Sequence, residues 1–404
     1  MLAVLASLRK AILPSLSRGA SPLRRAALAV AALGLVAACE PVSMSGPAAP
    51  AVDRDRPVQV ALLVPAGSGQ TGDAALARSL ENAARLAVAD LGATRIDLRI
   101  YDTAGNAGQA AQQATRAVNE GAQVILGPVF ADSARAVGTA LAGTGVPVLS
   151  FSNNPRAASG NVFILGPTFD NTAQRLVAHA VSQDKRRFLA VAERNDSGEI
   201  GREAIARAAQ RAGGVMAGAE TFDFSQQGVV DAVPRIAEAA RNGGADAIFF
   251  TSNTAGALPL LVQLLPENRT GPGQFQYIGL TRWDIPNAIL ELPGVQGAWF
   301  ALPDPGLTQR FNARYAAANG RDPHPIAGLA YDGIAAIGAL VRSGRSDALS
   351  RAALTQAQGF AGVAGVFRLL PDGTNERSLA VAEIRNQQVV VIAPAPRSFA
   401  GPGL

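Results

Sequence analysis

Residues 121–155 of this 404-residue chain contain two short apolar runs with a helical spacing of apolar positions between them. The run Val124–Leu126 lies between glycine-containing turns, which is typical of a short strand buried on both faces. A helical spacing of apolar positions follows from Ala134 to Leu141, and a second apolar run extends from Val146 to Leu149. This order predicts a βαβ unit with a right-handed crossover, and any ligand site is expected in the polar loops after its two strands.

The alternation of strand and helix continues on both sides of this unit. Apolar runs predict five strands in the first part of the chain, at residues 58–64, 96–101, 124–126, 146–149 and 162–165. The pattern restarts after Gly166 and predicts four more strands, at residues 188–192, 219–222, 247–250 and 277–279. Two α/β lobes of similar size, each with a parallel sheet, therefore follow one another.

The chain after Phe300 does not have the pattern of a third domain. It predicts helices at residues 308–319 and 326–341, followed by short strands at 365–369, 379–384 and 389–392. These elements are too few to enclose a core of their own. We expect them to return to the two lobes.

The amino terminus carries the pattern of an export signal over residues 1–38. Basic residues precede an apolar run from Ala26 to Leu35, which is too short to span a bilayer permanently. The run leads into Val36-Ala37-Ala38-Cys39, which resembles the lipobox of bacterial lipoproteins. This implies that Cys39 becomes a lipidated amino terminus; the alternative is a plain signal peptide with an incidental cysteine. Cys39 is the only cysteine, which excludes disulfide bonds within the chain and cysteine-ligated metal.

The charge pattern does not support a nucleic-acid partner. The formal net charge is +5, but five of the 36 basic residues precede Cys39 and none of the 31 acidic ones do. The mature chain therefore has 31 residues of each sign and lacks a basic footprint. Residues 39–57 are rich in Pro, Ala, Gly and Ser and predict a flexible tether.

Residues 67–72 read Gly-Ser-Gly-Gln-Thr-Gly, which matches the G-x-G-x-x-G pattern of a dinucleotide site between a strand and a helix. Asp102, at the end of the next predicted strand, lies where an acid that binds ribose would be. Pro65, however, separates the strand from the first glycine, and an exported protein meets little NAD. We interpret this loop as a polar edge of a cleft and expect no cofactor.

Patterns for catalysis and metal binding are weak. His179 and His324 are the only histidines, and neither has partners at the spacing of a zinc site. The residue count alone leaves a Ser-His-Asp triad open, but no predicted strand ends in the G-x-S-x-G pattern of a nucleophile elbow. We therefore predict that the chain is not an enzyme.

Five stretches of sequence, taken in order, form a recognisable series. They are GPVFADS at 127–133, VPVLSFSNNP at 146–155, FNARYAAANGRDPHP at 311–325, AYDGIAAIGAL at 330–340 and PDGTN at 371–375. The series resembles the type I periplasmic binding protein family, in particular its leucine-binding branch, over nearly all of residues 58–393. This resemblance implies two Rossmann-like α/β lobes with parallel sheets, joined by three crossovers, with a ligand enclosed between the lobes.

The resemblance completes the predicted domain organisation. We expect a signal peptide at 1–38, the tether at 39–57, a first lobe from 58–166 and about 299–378, a second lobe from 167–298 and about 379–393, and a tail at 394–404. The predicted ligand-cleft residues all follow strand ends, where open parallel sheets place their ligands. They are Ser68, Phe130, Ser150, Ser152, Thr168, Asn195, Ser252 and Thr281.

Within this family, the lipobox, the tether and the loop VPVLSFSNN are similar to lipoproteins called penicillin-binding protein activators. That resemblance implies a non-catalytic, lipid-anchored periplasmic protein that binds and activates a peptidoglycan synthase (a penicillin-binding protein). Glu40 replaces the Asp that commonly retains lipoproteins at the inner membrane, which favours the outer membrane. The alternative is the solute-binding receptor of a branched-chain amino-acid-type ABC transporter, with a small molecule in the cleft.

Departures from the leucine-receptor pattern favour the activator hypothesis. Such receptors usually hold the ligand carboxylate with Ser and Thr hydroxyls in the loop after the fourth strand, where Phe151 intrudes and Asn153 stands in place of an Ala-Thr pair. They usually have a tyrosine where this chain has Ser197, and an acid directly after the ninth strand, whereas Asp284 comes three residues late. A buried ammonium group without a partner is costly. We therefore expect no tight binding of leucine, isoleucine or valine.

Overall fold

The computed structural model describes residues 48–53 and 55–399. The predicted signal peptide, Cys39 and much of the predicted tether lie outside the described residues. Two α/β lobes, each built on its own sheet, account for most of the described chain. Among the described residues, no helix combines the length and the apolar composition that a membrane span requires.

The first lobe contains a five-stranded parallel sheet. Its strands are β1 (Val58–Val64), β2 (Ile96–Asp102), β3 (Val124–Leu126), β4 (Val148–Ser150) and β5 (Val162–Ile164), in the order β2-β1-β3-β4-β5. The connecting helices are α1 (Asp73–Asp90), α2 (Ala107–Asn119) and α3 (Ala131–Ala140). Helix α1 packs against one face of the sheet, and α2 and α3 pack against the other. Burial on both faces explains why β3 and β5 are continuous apolar runs, whereas the edge strand β2 alternates and is partly exposed.

The second lobe contains a seven-stranded mixed sheet. Its parallel strands are β6 (Arg187–Glu193), β7 (Val215–Phe222), β8 (Ala247–Phe250), β9 (Gln276–Gly279) and β10 (Trp299–Leu302). Its helices are α4 (Phe169–Ser182) and α5 (Asp196–Arg211) on one face, and α6 (Gln226–Asn242) and α7 (Leu258–Glu267) on the other.

The remaining elements complete both lobes. Helices α8 (Pro305–Asn319), α9 (Gly328–Arg342) and α10 (Arg351–Leu354) belong to the first lobe, with a small antiparallel sheet of β11 (Phe360–Gly362), β12 (Gly365–Leu369) and β13 (Asn375–Arg377). The chain then adds an antiparallel edge hairpin to the second lobe, β14 (Ala380–Arg385) and β15 (Gln388–Ala393). The seven strands stand in the order β15-β14-β10-β9-β8-β6-β7. Three crossovers therefore connect the lobes, at residues 165–168, 303–304 and 378–379.

Several element bounds differ from those predicted, and two of these differences concern the domain boundary and the candidate site. Residues 299–302 form β10, a fully buried strand that pairs with β9 and β14 in the second lobe's sheet. The predicted return to the first lobe near residue 299 is therefore too early, and the chain leaves the second lobe after Leu302. Helix α5 begins at Asp196 instead of near Ile200, because the Asn195 side chain accepts a hydrogen bond from Gly198 N and caps the helix.

The last residues of the predicted tether and the first residues of the predicted tail are packed onto the lobes. Val52 is buried in the first lobe's core, and its backbone N–H donates to Ser346 O at 2.8 Å. Ala395 is buried in the second lobe's core. The predicted tether at 39–57 therefore ends in contact with the domain, because Val52 is apolar and finds a backbone partner there.

Candidate functional site

The loops that follow β1, β2 and β3 meet at the carboxyl edge of the first lobe's sheet. A Cβ atom on Gly105 would lie 3.3 Å from both Ser68 Cβ and Phe130 Cε2, so the structure brings these two predicted cleft residues together. Phe130 directly precedes α3, and 38% of its surface is exposed. The first lobe therefore presents a small polar side chain and an exposed aromatic ring side by side.

The G-x-G-x-x-G loop lies at the same edge. Gly67 has a φ of +73°, and a Cβ atom there would lie 2.8 Å from the Asp102 carboxylate. That carboxylate accepts a hydrogen bond from Ala104 N at 2.8 Å, within its own turn. Glycine is needed at position 67 because the backbone is left-handed and Asp102 comes close. Asp102 thus fixes the turn after β2.

Two predicted cleft serines, Ser150 and Ser152, are buried and already make hydrogen bonds, the first to the loop after β3 and the second within the loop after β4. Ser150 Oγ donates to Pro128 O at 2.8 Å and accepts from Ser152 N at 3.1 Å. Ser152 Oγ accepts from Asn154 N at 3.1 Å, and the Phe151 ring beside them is also buried. These hydroxyls stabilise the loop after β4. Either one would bond a ligand only by giving up a hydrogen bond that it already makes within the protein.

Two further predicted residues cap helices of the second lobe. Thr168 Oγ1 accepts from Asn171 N at 3.3 Å, and Asn171 Oδ1 accepts from Thr168 N at 2.9 Å, which is a capping box at the start of α4. Asn195 caps α5 and is exposed, and its amide donates to Glu193 Oε2 at 3.0 Å. Both residues lie at the predicted edge, and both also have a structural role there.

Ser252 and Thr281, the remaining predicted residues, contact one another at the carboxyl edge of the second lobe's sheet. Thr281 Oγ1 donates to Ser252 O at 3.2 Å. Ser252 is buried, and its Oγ has no hydrogen-bond partner among the described residues. A buried hydroxyl without a partner is uncommon. Ser252 is therefore the predicted cleft residue with the most clearly available hydrogen-bonding group.

A cluster around Gly256 was not predicted. A Cβ atom on Gly256 would lie 3.1 Å from Asn253 Oδ1, 3.3 Å from Glu193 Oε1 and 3.4 Å from Phe224 Cε2. Phe224 is 65% exposed. These residues follow different strands without a fixed spacing, and only the strand-end rule could have found them. The second lobe thus presents a carboxylate, an amide and an exposed aromatic ring.

The acid that follows β9 is paired with an arginine two residues before it. Arg282 Nε donates to Asp284 Oδ1 at 2.6 Å, and its Nη2 contacts the other carboxylate oxygen. The Asp284 side chain is mostly buried in this pair. Its charge is therefore neutralised inside the second lobe, and a ligand ammonium group would have to compete with a bidentate guanidinium.

A polar cavity of about 390 Å³ lies between the lobes. Of the predicted cleft residues, Thr168 lines it, together with Arg156 from the first lobe and Glu203 and Arg207 from α5. Arg156 Nη2 lies 3.9 Å from Glu203 Oε2, so one ion pair crosses from lobe to lobe. Both side chains are half-exposed, and the pair is correspondingly weak.

The histidines have structural surroundings. The His179 ring packs edge-on against Trp299, with 4.9 Å between ring centroids. Burial, and secondarily the Arg175 charge, lower the pKa of His179, and burial lowers the pKa of His324. Both imidazoles are therefore neutral at pH 7. In the described part of the chain, no group of His, Cys, Asp and Glu side chains could hold a metal ion.

Comparison with known proteins decides the family. A family model described as periplasmic binding protein matches residues 57–388. The chain belongs to the periplasmic binding protein family. Membership places this periplasmic binding protein in the periplasm, and its two α/β lobes confirm the predicted type I fold. No curated protein sequence matches the chain.

Solved structures of periplasmic binding proteins share this fold at low sequence identity. A branched-chain amino acid ABC transporter periplasmic ligand-binding protein from Burkholderia xenovorans is 17% identical, with a TM-score of 0.65 over 85% of this chain and 97% of that one. An ABC transporter substrate-binding protein from Desulfitobacterium hafniense, in complex with Leu, is 17% identical, with a TM-score of 0.62 over 83% and 100%. A solute-binding protein from R. palustris, in complex with benzoate, is 18% identical, with a TM-score of 0.57 over 86% and 99%.

Proposed function

We propose that this periplasmic binding protein is a non-catalytic receptor that holds a small organic solute between its lobes, as in ABC transporters of the branched-chain amino-acid type. The observation that carries the proposal is the pair Phe130 and Phe224, one at the carboxyl edge of each sheet, with 38% and 65% of their surfaces exposed. Covering an aromatic side chain completely contributes about 1.5–3 kcal/mol. A solute between the lobes would cover both rings.

The first lobe favours a carboxylate as the polar part of that solute. Helix α3 follows Phe130, whose side chain cannot cap it, and the acid of its first turn, Asp132, pairs with Arg135, so the first backbone N–H groups stay available to an anion. Benzoate and leucine, which the R. palustris and D. hafniense proteins hold, are both carboxylates with an apolar body. An apolar body would lie on the Phe130 ring while its carboxylate meets the helix end.

The second lobe disfavours an α-ammonium group. Asp284, the acid after β9, is held by Arg282 in a bidentate ion pair. A buried ammonium group requires an anionic partner that is free to pair with it. We therefore expect carboxylates without an amino group to bind more tightly than leucine, isoleucine or valine.

A second candidate function is activation of a peptidoglycan synthase by a lipid-anchored form of this protein. The observation that favours it is that Ser150, Ser152, Thr168 and Asn195 all bond within their own lobe, which leaves few cleft groups for a solute. A lipid at Cys39 and a tether would also favour this function, because they would raise the local concentration of the domain near membrane-bound partners.

Calorimetry and affinity capture separate the two candidates. The mature chain is titrated with leucine and with 4-methylpentanoate, which is leucine without its amino group, and is then used to capture partners from solubilised membranes. Binding of 4-methylpentanoate together with capture of permease subunits supports the receptor. Capture of a peptidoglycan synthase without binding of any small carboxylate supports the activator and overturns the receptor.

A further inference from the structure

The three crossovers between the lobes surround a second cavity, which we call the hinge cavity. It has a volume of about 100 Å³ and is mostly apolar. Each crossover contributes one apolar wall residue: Pro167 from the first, Pro303 from the second and Leu379 from the third. Leu329 on α9 and Val366 on β12 close it from the first lobe. None of the predicted cleft residues lines this cavity.

One end of the hinge cavity is formed by a buried ion pair. Arg377 Nη1 donates to Asp332 Oδ2 at 3.1 Å, and the two side chains are 7% and 1% exposed. Asp332 Oδ1 also accepts from Val363 N at 2.8 Å, and Arg377 Nε donates to Leu165 O at 2.8 Å. The pair is neutral as a unit and is held by backbone groups on both sides, so its geometry is fixed.

Two hydrogen-bond donors at this end have no acceptor. Arg377 Nη2 and Ser378 Oγ are buried without a partner among the described residues, and both residues line the hinge cavity. A Cβ atom on Gly365, another lining residue, would lie 2.5 Å from Ser378 Oγ, so this hydroxyl stands against the cavity wall. Buried donors without acceptors are costly, and two of them beside one apolar cavity indicate a site for an acceptor.

We propose that the hinge cavity binds a small uncharged molecule that has an apolar body and one hydrogen-bond acceptor, such as a carbonyl oxygen. The acceptor would take hydrogen bonds from Arg377 Nη2 and Ser378 Oγ. A charged ligand is excluded because Asp332 already neutralises Arg377, and an extra charge in a dry site would be unpaired. The volume of about 100 Å³ is somewhat smaller than the roughly 150 Å³ cavity that holds benzene in another protein.

Such a ligand would act on the angle between the lobes. All three crossovers contribute residues to the walls of the hinge cavity, so a change in the angle between the lobes changes the shape of this cavity. A molecule that fits one angle better stabilises that angle by its difference in affinity. The hinge cavity is therefore a site from which a small uncharged molecule regulates solute binding in the cleft, whichever solute that is.

Cyclopentanone is a suitable probe, and cyclopentylammonium is the matched control with the same ring but a charge and no acceptor. The methyl resonances of Ile326 and Leu329, which line the hinge cavity, are followed by NMR during titration of the mature chain. We expect saturable shifts with cyclopentanone and none with cyclopentylammonium. Ser378→Ala should weaken binding about three- to tenfold, the effect of one lost hydrogen bond, while Ser182→Ala, at an exposed serine, should not.

A cavity-filling variant gives an independent readout. Val366 is half-buried at the cavity wall, so Val366→Phe should fill the hinge cavity and abolish the cyclopentanone shifts. If that variant does not fold, Ser378→Ala decides alone. Equal shifts with both probes, an unchanged affinity in Ser378→Ala, or no saturable shift in the wild type would each overturn the proposal.

Discussion

The guanidinium of Arg282 holds the carboxylate of Asp284 in a two-point ion pair at the edge of the proposed solute site. The two residues are close in sequence and lie on the same turn after β9, so the pair forms without any movement of the lobes. It occupies the acid that the leucine-receptor pattern would offer to a ligand ammonium group. The proposed preference for carboxylates without an amino group rests on that contact.

Removing the arginine should therefore make the cleft more tolerant of an amino group. In Arg282→Ala the Asp284 carboxylate is released, and we expect leucine affinity to rise about fivefold, equivalent to about 1 kcal/mol, from the loss of one partly buried ion pair. The affinity for 4-methylpentanoate should stay the same or fall. Calorimetry of both ligands measures the change, with Arg310→Ala as the control at an exposed arginine. Equal changes for the two ligands would contradict this explanation.

The ion pair between Arg156 and Glu203 should help to hold the lobes together. Arg156→Ala removes the contact of 3.9 Å, and because both side chains are half-exposed the arrangement of the lobes seen here should lose at most about 1 kcal/mol of stability. We expect a small increase in the radius of gyration by X-ray scattering at low salt, and none at high salt, where the pair is screened. Arg211→Ala, at another arginine of the same cavity, is the control. An increase that does not depend on salt would rule out the ion pair as its cause.

The pair Asp332–Arg377 is the most buried ion pair in the described part of the chain, and breaking it should be costly. Asp332→Ala leaves the Arg377 charge buried without a partner and should lower the free energy of unfolding by about 3–5 kcal/mol in urea denaturation. Glu376→Ala breaks the more exposed pair with Arg368 and should cost less than about 1 kcal/mol. The double variant Asp332→Leu/Arg377→Met should recover most of the loss. A double variant as unstable as Asp332→Ala would show that packing, and not the unpaired charge, is responsible.

Mild acid should destabilise the fold through His179. Burial against Trp299 and the nearby Arg175 charge lower its pKa below the usual value of about 6.5, so the unfolded chain takes up a proton first. The stabilising contribution of neutral His179 is complete above about pH 6.5 and is lost as the pH falls below that value. The free energy of unfolding then falls by up to about 1.4 kcal/mol per pH unit. His179→Gln should reduce that slope in urea denaturation series. His324 is exposed, so His324→Gln should reduce the slope less than His179→Gln does.

The lipid anchor remains a prediction, because Cys39 lies outside the described residues. Cys39→Ser should release the protein from membranes into the soluble periplasmic fraction, since a lipidated amino terminus with several acyl chains binds a bilayer firmly. Fractionation of cells that express each form, followed by immunodetection, measures the distribution. Retention of the variant on membranes would contradict lipidation at this residue.

The sequence predicted the bounds of strands best where both faces of the strand are buried. The bounds of β1, β3 and β8 agree with the predicted runs, because strands buried on both faces are continuously apolar and end abruptly. The strand β10 was not recognised as part of the second lobe, because its antiparallel partner β14 comes from a distant part of the chain. Pairing between distant segments leaves no local pattern.

The candidate site was predicted less well than the fold. The predicted strand end agrees with the position of Ser150, the last residue of β4, and of Ser152 just after it, but both hydroxyls are used in hydrogen bonds to neighbouring backbone groups. The direction of a short polar side chain depends on the turn that it stabilises, which its spacing does not reveal. Phe224 and Glu193 were missed because their proximity arises only when β6 and β7 pair.

The central claim, that a solute lies between Phe130 and Phe224, is tested most directly by calorimetry with these two rings removed. The mature wild-type chain and the Phe130→Ala/Phe224→Ala double variant are titrated with benzoate and with 4-methylpentanoate. The account predicts saturable binding of at least one of these carboxylates to the wild type, and affinity at least about tenfold lower in the double variant, since each lost aromatic contact removes apolar burial. Binding of equal affinity to both proteins, or no binding of either carboxylate to the wild type, would contradict it.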